Sequence, residues 1–396
     1  MSRTRFETLC RYLHFVDNTD DDLDKSDKAW KIRPFMEALR QNCLKIRPNQ
    51  NQCIDEISIS YRGKKGPRQY NPKKPAKWHF TVFARADPTG IIHDFYLYTG
   101  ATGEKPSAAG VSGDHIIRLV KNLPEGIPFK ICADNYFVGL PMIRYLQSKG
   151  FHFTGTFRYG RLRPNFVSDK ELKAKGRGSV DYCVQQKDNI VAVKWFDNRF
   201  VFIVSTYVGV EPMMTIERYD RKEKKYVEVQ CPQIVNEYNN NMGGIDLNDK
   251  MASLYSYRFR SNRWPLYIWH HLTHIALVNS WLCYRRDSTQ TSAGRLSLKE
   301  FQLQVAESLL KFNKPVGRPR FLKELMPPRK KRLLVSIKSP DIQFDLYDHF
   351  PEYMDKRSRC AQCSSRTVFT FVRCRKCEVY LCFTKGKNCF YLYHHK

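Results

Sequence analysis

Four aspartates stand where backbone regularity could fix them. Asp55 lies inside the alternating run Cys53-Ile54-Asp55-Glu56, and Asp134 ends the apolar run Phe129-Lys130-Ile131-Cys132-Ala133. Asp246 opens a helical segment in Gly243-Gly244-Ile245-Asp246, with Asp249 three residues later on the same helical face. Taken singly, an aspartate at a strand end is ordinarily a turn or helix-cap residue. If the four instead converge, their mutual repulsion calls for bound cations, and an all-oxygen donor set suits Mg²⁺ or Mn²⁺ better than Zn²⁺. Two such ions about 4 Å apart would serve phosphodiester cleavage or strand transfer.

A second set of chemistry-bearing residues closes the chain. Cys360-x2-Cys363, Cys374-x2-Cys377, Cys382, Cys389, His394 and His395 supply six sulfurs and two imidazoles, enough for two tetrahedral zinc sites. An interleaved pairing would place Cys360, Cys363, Cys382 and Cys389 on one ion and Cys374, Cys377, His394 and His395 on the other. Disulfides are the alternative. No N-terminal run joins a basic segment to an apolar stretch and a small-residue cleavage site, so a reducing compartment is expected and zinc is favoured. The remaining cysteines, 10, 43, 53, 132, 183, 231 and 283, sit among apolar neighbours and read as free buried thiols. His270, His271 and His274 include an i, i+4 pair but lack a Glu or Cys partner at supporting spacing, so they read as an ordinary helix face.

The elements that must position these groups follow from periodicity. The chain has 396 residues, 42% hydrophobic and 13% aromatic, which is enough to build folded cores. Two helices precede residue 48, with Phe6, Leu9, Cys10 and Leu13 on one face and Phe35, Leu39, Cys43 and Ile46 on another. Strands are expected at Cys53–Tyr61, His79–Ala86 and Ile91–Tyr98, then a helix at Asp114–Asn122, a strand at Pro128–Ala133, a helix at Leu140–Lys149 and a strand at His152–Phe157. Antiparallel strands followed by alternating helix and strand make an α/β layer pattern compatible with an RNase H-like core. Short Val-, Tyr- and Phe-rich runs over 161–235 read as a β-rich insertion, and helices return at 246–256 and 265–285. The longest apolar stretches, Phe200–Val204 and Ile275–Val278, fall far short of the roughly 20 residues a membrane span needs.

Lys and Arg number 67 against 39 Asp and Glu, a net charge of +28 that favours a polyanionic partner, nucleic acid first. Arg62, Lys64, Lys65, Arg68, Lys73, Lys74 and Lys77 follow the first aspartate, and Arg258, Arg260 and Arg263 follow the third. Cations flanking carboxylates make sense where phosphates must approach; a solvated charged face is the alternative. Tyr136, Phe137 and Trp264 could stack on an unpaired base, and core packing suits Tyr136 and Phe137 equally well. Lys314–Arg332 holds eight Lys/Arg against one Glu. Within it, Arg318 and Arg320 flank a proline in a Gly-Arg-Pro centre like that of minor-groove hooks, and Pro327-Pro328-Arg329-Lys330-Lys331-Arg332 suits nuclear import or a phosphate-binding arm.

Five runs, Cys53-Ile54-Asp55-Glu56, Arg62-Gly63-Lys64 with Pro72-Lys73-Lys74-Pro75, Ala133-Asp134-Asn135-Tyr136-Phe137, Tyr238-Asn239 leading to Gly243-Gly244-Ile245-Asp246, and Asn262-Arg263-Trp264-Pro265, resemble the piggyBac transposase family in order and spacing. The resemblance spans nearly the whole chain. It implies an α/β fold with an RNase H-like nuclease core carrying a β-rich insertion, a partial helical N-terminal domain and a C-terminal zinc-binding, cysteine-rich module. The corresponding boundaries are 1–48 for the dimerisation and DNA-binding helices, 49–160 for the first part of the core and 161–235 for the insertion. The second part of the core follows at 236–290, a basic linker at 291–356 and the zinc module at 357–396.

By that resemblance Asp55, Asp134 and Asp246 match the family's magnesium-binding triad, Asp249 its additional acidic residue, and Trp264 a tryptophan near the active site. The family's chemistry is hydrolysis at transposon ends, hairpin formation through a 3′-hydroxyl and joining at TTAA. Its members carry a longer N-terminal region, so only the last helices of that domain are expected here. The reading is a nuclear, homodimeric DNA-cleaving and strand-transferring enzyme with two Mg²⁺ or Mn²⁺ and two Zn²⁺. The alternatives are a domesticated, non-catalytic DNA- or chromatin-binding protein and a RING-like adaptor.

Overall fold

Both faces of the segment 51–60 are buried, and that sets the architecture. Ile54 packs into one core, whereas Cys53, Ile57 and Ile59 pack into another on the opposite side. A strand buried twice must be central in a sheet covered on both faces. In this computed structural model, residues 2–20, 24–100, 105–221, 223–257, 259, 261–288, 295–312, 343–363 and 368–395 are described. Arg258, Arg260 and the run Lys314–Arg332, with Arg318 and Arg320, lie outside them. The chain divides into two compact units, Met1–Phe312 and Asn313–Lys396.

The larger unit opens with α1 (Arg3–Tyr12) and α2 (Arg33–Leu44) and then builds one sheet. Its first part comprises β1 (Asn51–Ser60), β2 (Gln69–Tyr70), β3 (Trp78–Ala86), β4 (Ile92–Leu97), β5 (Lys130–Ala133) and β6 (His152–Thr156). β3 lies antiparallel to β1 and carries both β2 and β4 on its other edge. β5 and β6 run parallel to β1, reached through α3 (Gly110–Val120) and α4 (Leu140–Ser148). Those two helices cover the Ile54 side with Ile116, Leu119, Val120, Met142, Ile143 and Leu146. The other side takes Met36 and Cys43 of α2, Ile245 of α8 (Gly244–Leu254) and Ile268, Leu272 and Ile275 of α9 (Trp264–Asp287).

The stretch 161–235, expected as an insertion, contributes to this same sheet. After short helices α5 (Tyr159–Leu162) and α6 (Asp169–Ala174), β7 (Val180–Gln185), β8 (Ile190–Phe196) and β9 (Phe200–Ser205) extend it past β6 in the order β6-β9-β8-β7. Alternation explains why. Ile190, Ala192 and Val204 complete the Ile54 core, while Val193, Trp195 and Ile203 bury against β11 (Lys225–Cys231) and α7 (Gln233–Met242). Among the described residues β11 pairs only with β10 (Met214–Asp220), as a separate hairpin. The unit ends with α10 (Leu298–Lys311), begun by a capping box in which Ser297 and Glu300 satisfy each other's backbone N–H. No described helix is long and apolar enough to cross a membrane.

A buried amide pair locks the carboxylate-bearing helix to the sheet. Asn279 of α9 accepts from the Ile92 N–H at 3.0 Å and donates to the Ile92 carbonyl at 2.8 Å, while Asn248 of α8 donates to Asn279 at 3.1 Å and to the Gly90 carbonyl at 2.8 Å. Asn279→Ala leaves two backbone groups of β4 without these partners and removes one of the two hydrogen bonds donated by the Asn248 amide. A loss of roughly 2–4 kcal/mol in stability is expected, read from urea unfolding of the variant against the parent.

The smaller unit is a pair of β-hairpins, β12 (Pro351–Arg359) with β13 (Phe369–Cys374) and β14 (Phe383–Thr384) with β15 (Lys387–Asn388), followed by α11 (Cys389–His394). Its core is small and sulfur-rich: Cys360, Cys374, Cys377, Cys382 and Cys389 with Val372, Val379, Leu381, Phe390 and Tyr393. β12 begins inside the stretch 291–356 expected as linker.

Candidate functional site

β1 and β5 are parallel and in register, Ile54 opposite Ala133, so Asp55 and Asp134 are the next residues on neighbouring strands. Adjacent strands lie about 4.8 Å apart. Cys53 and Cys132 are buried on the face that α8 covers, and because side chains alternate, Asp55 and Asp134 project from that same face two residues on. The Thr156 hydroxyl on β6 donates to Asp134 Oδ1 at 2.9 Å, fixing one carboxylate from the third parallel strand.

Asp246 arrives through a close approach that only glycine permits. A Cβ on Gly244 would stand 2.1 Å from the Asp87 carbonyl oxygen and 2.9 Å from the Cys53 sulfur. The start of α8 can therefore press onto β1, where the N–H groups of Ile245 and Gly244 point at that sulfur. Asp246, in the first turn, is set on the Asp55 side of the sheet. Asp249 faces a recess beside the far end of β1, lined by Ile59, Ser60, Tyr257, Phe259, His270 and His274, with His271 Nε2 at 3.4 Å from its carboxylate. Asp55, Asp134 and Asp246 do not gather as tightly as the thiolates described below: among the described residues, only the C-terminal groups bring three or more ligand atoms within 4.8 Å of one another.

Burial, then the charge of Glu56 and, more weakly, that of Asp246 push the Asp55 carboxyl up to about 8. Burial, then Asp246, also raises Asp249. A carboxyl raised by burial and neighbouring acids is one that a bound divalent cation would return to its ionised form, and its oxygen donors suit such an ion. The sign of the linkage follows. An unfolded aspartate titrates near 4, so between about pH 4 and pH 8 the folded chain holds the extra proton and loses stability as pH rises through that window. In chelator at pH 8, Asp55→Asn is expected to melt about 2 °C or more above the parent, the gap closing toward pH 4. Thermal melts across that range decide it; a parent that gains on the variant as pH rises would contradict it.

In the smaller unit two four-ligand groups form. Cys360, Cys363, Cys382 and Cys389 make one; His349, Cys374, Cys377 and His394 make the other. None of the six sulfurs is in a disulfide. Cys363 lies 3.8 Å from the Cys382 sulfur and 3.5 Å from that of Cys389, close to the roughly 3.8 Å edge of a tetrahedron with 2.3 Å Zn–S bonds. His394 donates from Nδ1 to the Phe390 carbonyl at 2.8 Å, leaving Nε2 buried without a partner. His349 turns Nδ1 to within 3.4 Å of both Cys374 and Cys377 and places Nε2 2.9 Å from Asp345. Both imidazoles thus present a lone pair to the thiols while the other nitrogen is hydrogen-bonded, an arrangement that fits a metal.

The expected fourth ligand, His395, is corrected by this geometry. It follows the end of α11 in extended backbone, and its ring stacks on Tyr391 at 4.0 Å. His349 takes its place, from a segment without Cys-x2-Cys spacing.

The family profile described as Transposase IS4 matches residues 1–281. Human PiggyBac transposable element-derived protein 3 is 31% identical over 389 residues, covering 96% of this chain and 62% of the relative. This chain belongs to the piggyBac transposase family. Human PiggyBac transposable element-derived protein 2 is 30% identical over 372 residues, 92% of this chain and 60% of the relative. The chain therefore spans about three-fifths of the length of these relatives. A piggyBac transposase solved by cryo-EM as a synaptic complex with hairpin DNA shares the fold, with a TM-score of 0.68 and 20% identity over 98% of this chain and 80% of that one.

The basic residues of this piggyBac family member divide by environment. Arg62, Lys64, Lys65 and Lys73 are exposed. Lys74 is held by Ser58 at 2.5 Å and Glu56 at 3.0 Å, and Arg68 lies 3.8 Å over the Trp78 ring while donating to the Gly63 carbonyl. Arg263 donates to the carbonyls of Cys10, Arg11 and Leu13 at 3.3, 3.0 and 2.5 Å, so it ties down the end of α1. Trp264 packs 5.9 Å from Phe80 beneath Gly66 and lines a recess with Lys65. Phe137 is core, and Tyr136 is partly exposed beside it. His270 packs on Phe259 at 5.0 Å and His274 at 4.7 Å, the ordinary helix face expected of them.

Neither Thr156 nor His349 is among the residues that the sequence singles out. A hydroxyl two strands from Asp55 and an imidazole 11 residues before the first cysteine carry no local spacing signal.

Proposed function

We propose that this chain is a DNA-cleaving and strand-joining enzyme of the piggyBac type, with Asp55, Asp134 and Asp246 as ligands of two Mg²⁺ or Mn²⁺ on an RNase H-like scaffold. The observation that carries the reading is the placement of Asp55 and Asp134 side by side on neighbouring parallel strands, Asp55 within β1 and Asp134 just past the end of β5, with Asp246 brought to the same face by Gly244. The sheet order β4-β3-β1-β5-β6, antiparallel on one side of β1 and parallel on the other, supports the scaffold. When bound, the divalent ions supply charge neutralisation at the scissile phosphate and activation of the attacking hydroxyl. The chain's own part is to hold the carboxylates rigid, with Thr156 orienting Asp134, and Asp249 supporting the site from the next turn of α8.

In the same reading the smaller unit binds two Zn²⁺ and DNA, Arg62, Lys64, Lys65 and Lys73 receive phosphates, Trp264 stands near the strand being processed, and the working form is a nuclear homodimer acting at TTAA. A second reading, a domesticated DNA- or chromatin-binding protein without catalysis, draws on the looser spacing of the carboxylates. A RING-like adaptor draws only on the interleaved ligand order.

Incubation with duplexes bearing a transposon end flanked by TTAA decides among them. Nicking and joining in Mg²⁺ or Mn²⁺, absent in chelator, is the expected result. Equal binding with no nicking in either metal would favour the second reading, and E2-dependent ubiquitin transfer the third.

A further inference from the structure

Four arginines converge where β1 is entered, away from the carboxylate face of α8. Arg47 precedes β1, Arg285 and Arg286 close α9, and Arg295 leads into α10; together they line a recess of about 630 Å³ with Pro48, Asn49, Thr89 and Leu282. The acid in its wall is Asp87, and that carboxylate is already engaged. It accepts from the N–H groups of Thr89 and Ile91 at 2.9 and 3.2 Å and from the Thr89 hydroxyl at 2.5 Å, and His93 Nε2 lies 3.3 Å away. Arg285 lies 4.9 Å over the Trp281 ring, and Arg286 pairs with exposed Asp287 at 3.1 Å.

Cations in the last turn of a helix complement its dipole, which accounts for Arg285 and Arg286. It does not account for Arg47 and Arg295, which come from other segments to the same recess. Nor is this merely a solvated lysine face: all four cations are guanidinium groups, whose planar forks match phosphate oxygens two at a time. A concentration of like charge around one hollow, with its acid withdrawn, is built for a polyanion.

We propose that this recess binds the phosphodiester backbone of duplex DNA, a track separate from the basic residues that flank the carboxylates. The proposal takes its partner from the DNA-binding part of the proposed function and does not depend on strand cleavage.

The test is the salt dependence of duplex binding by the full chain, parent against Arg47→Gln/Arg286→Gln, with Lys121→Gln/Lys149→Gln as an equal loss of charge on the opposite face of the sheet. Each lost phosphate contact lowers the slope of log K against log salt by about 0.9, so the arginine pair is expected to reduce it by nearly 2 and the lysine pair to leave it unchanged. Because the arginines are exposed, both variants should keep the parent's melting temperature, and Arg47→Glu should weaken binding further. An unchanged slope in the arginine variant, or an equal fall in the lysine variant, overturns the proposal. So does binding of tripolyphosphate that needs the arginines while duplex affinity does not, which would make the ligand a free polyphosphate. A parent that binds duplex with the expected slopes but never nicks it would sink the enzymatic reading and leave this one standing.

Discussion

Asp246→Ala is expected to lower Mg²⁺-dependent nicking of a transposon-end duplex by at least on the order of 10³-fold, because it removes a metal ligand and not merely a nearby charge. The side chain is exposed in the first turn of α8 and contributes nothing to the core, so the fold should survive. Its charge raises the acids on either side, Asp55 and Asp249. Deleting it relieves that repulsion, so in chelator the variant should be at least as stable as the parent and should bind duplex DNA no more weakly. Three readouts thus move differently: cleavage collapses, melting temperature holds or rises, and affinity holds. A merely structural aspartate would lower stability along with activity. Retained nicking in Asp246→Ala would refute the triad directly. Asp249→Asn should cost much less, since that carboxylate faces His271 and the recess beyond Ile59.

Most of the frame was legible because its elements carry strong periods. The strand around Asp55 was expected at Cys53–Tyr61 and runs Asn51–Ser60, and the helix expected at 265–285 runs Trp264–Asp287. What escaped has a physical reason in each case. α7 carries Ile234, Val235, Tyr238 and Met242 at helical spacing, but three consecutive asparagines, which favour turns over helix, mask the pattern. Strand character was plain over 161–235, yet nothing local tells a strand that it will dock on β6; that follows from which face of β8 and β9 each core needs. The carboxylate site was legible as residues but not as geometry. Its decisive contact, Gly244 against Cys53 and Asp87, joins segments about 190 and 160 residues apart in sequence. Arg263 shows the converse: its charge pointed to phosphate, whereas its partners are the carbonyls ending α1.

His349→Ala is expected to reduce bound zinc from about two ions per chain to about one, while His395→Ala keeps both. The argument rests on which nitrogen has a lone pair aimed at sulfur. His349 Nδ1 is 3.4 Å from two thiols, and its Nε2 is 2.9 Å from Asp345, a carboxylate that Lys376 also holds. His395 stacks on Tyr391 outside both groups. The consequence reaches beyond one ion. Ligands alternate between the two sites along the chain, His349, then Cys360 and Cys363, then Cys374 and Cys377, then Cys382 and Cys389, then His394, so each site closes loops that contain residues of the other. The core they would brace is small and sulfur-rich, and in a segment of this size bound metal would supply much of the folding energy. Loss of one ion should therefore loosen the whole unit. Metal content by colorimetric chelation, with amide exchange over β12 and β13, reads both effects. Asp345→Asn, which keeps the shape but weakens acceptance from the ring N–H, should retain two ions and release one of them to chelator about tenfold more readily. Two retained ions in His349→Ala, with one lost in His395→Ala, would restore the pairing that residue spacing suggested.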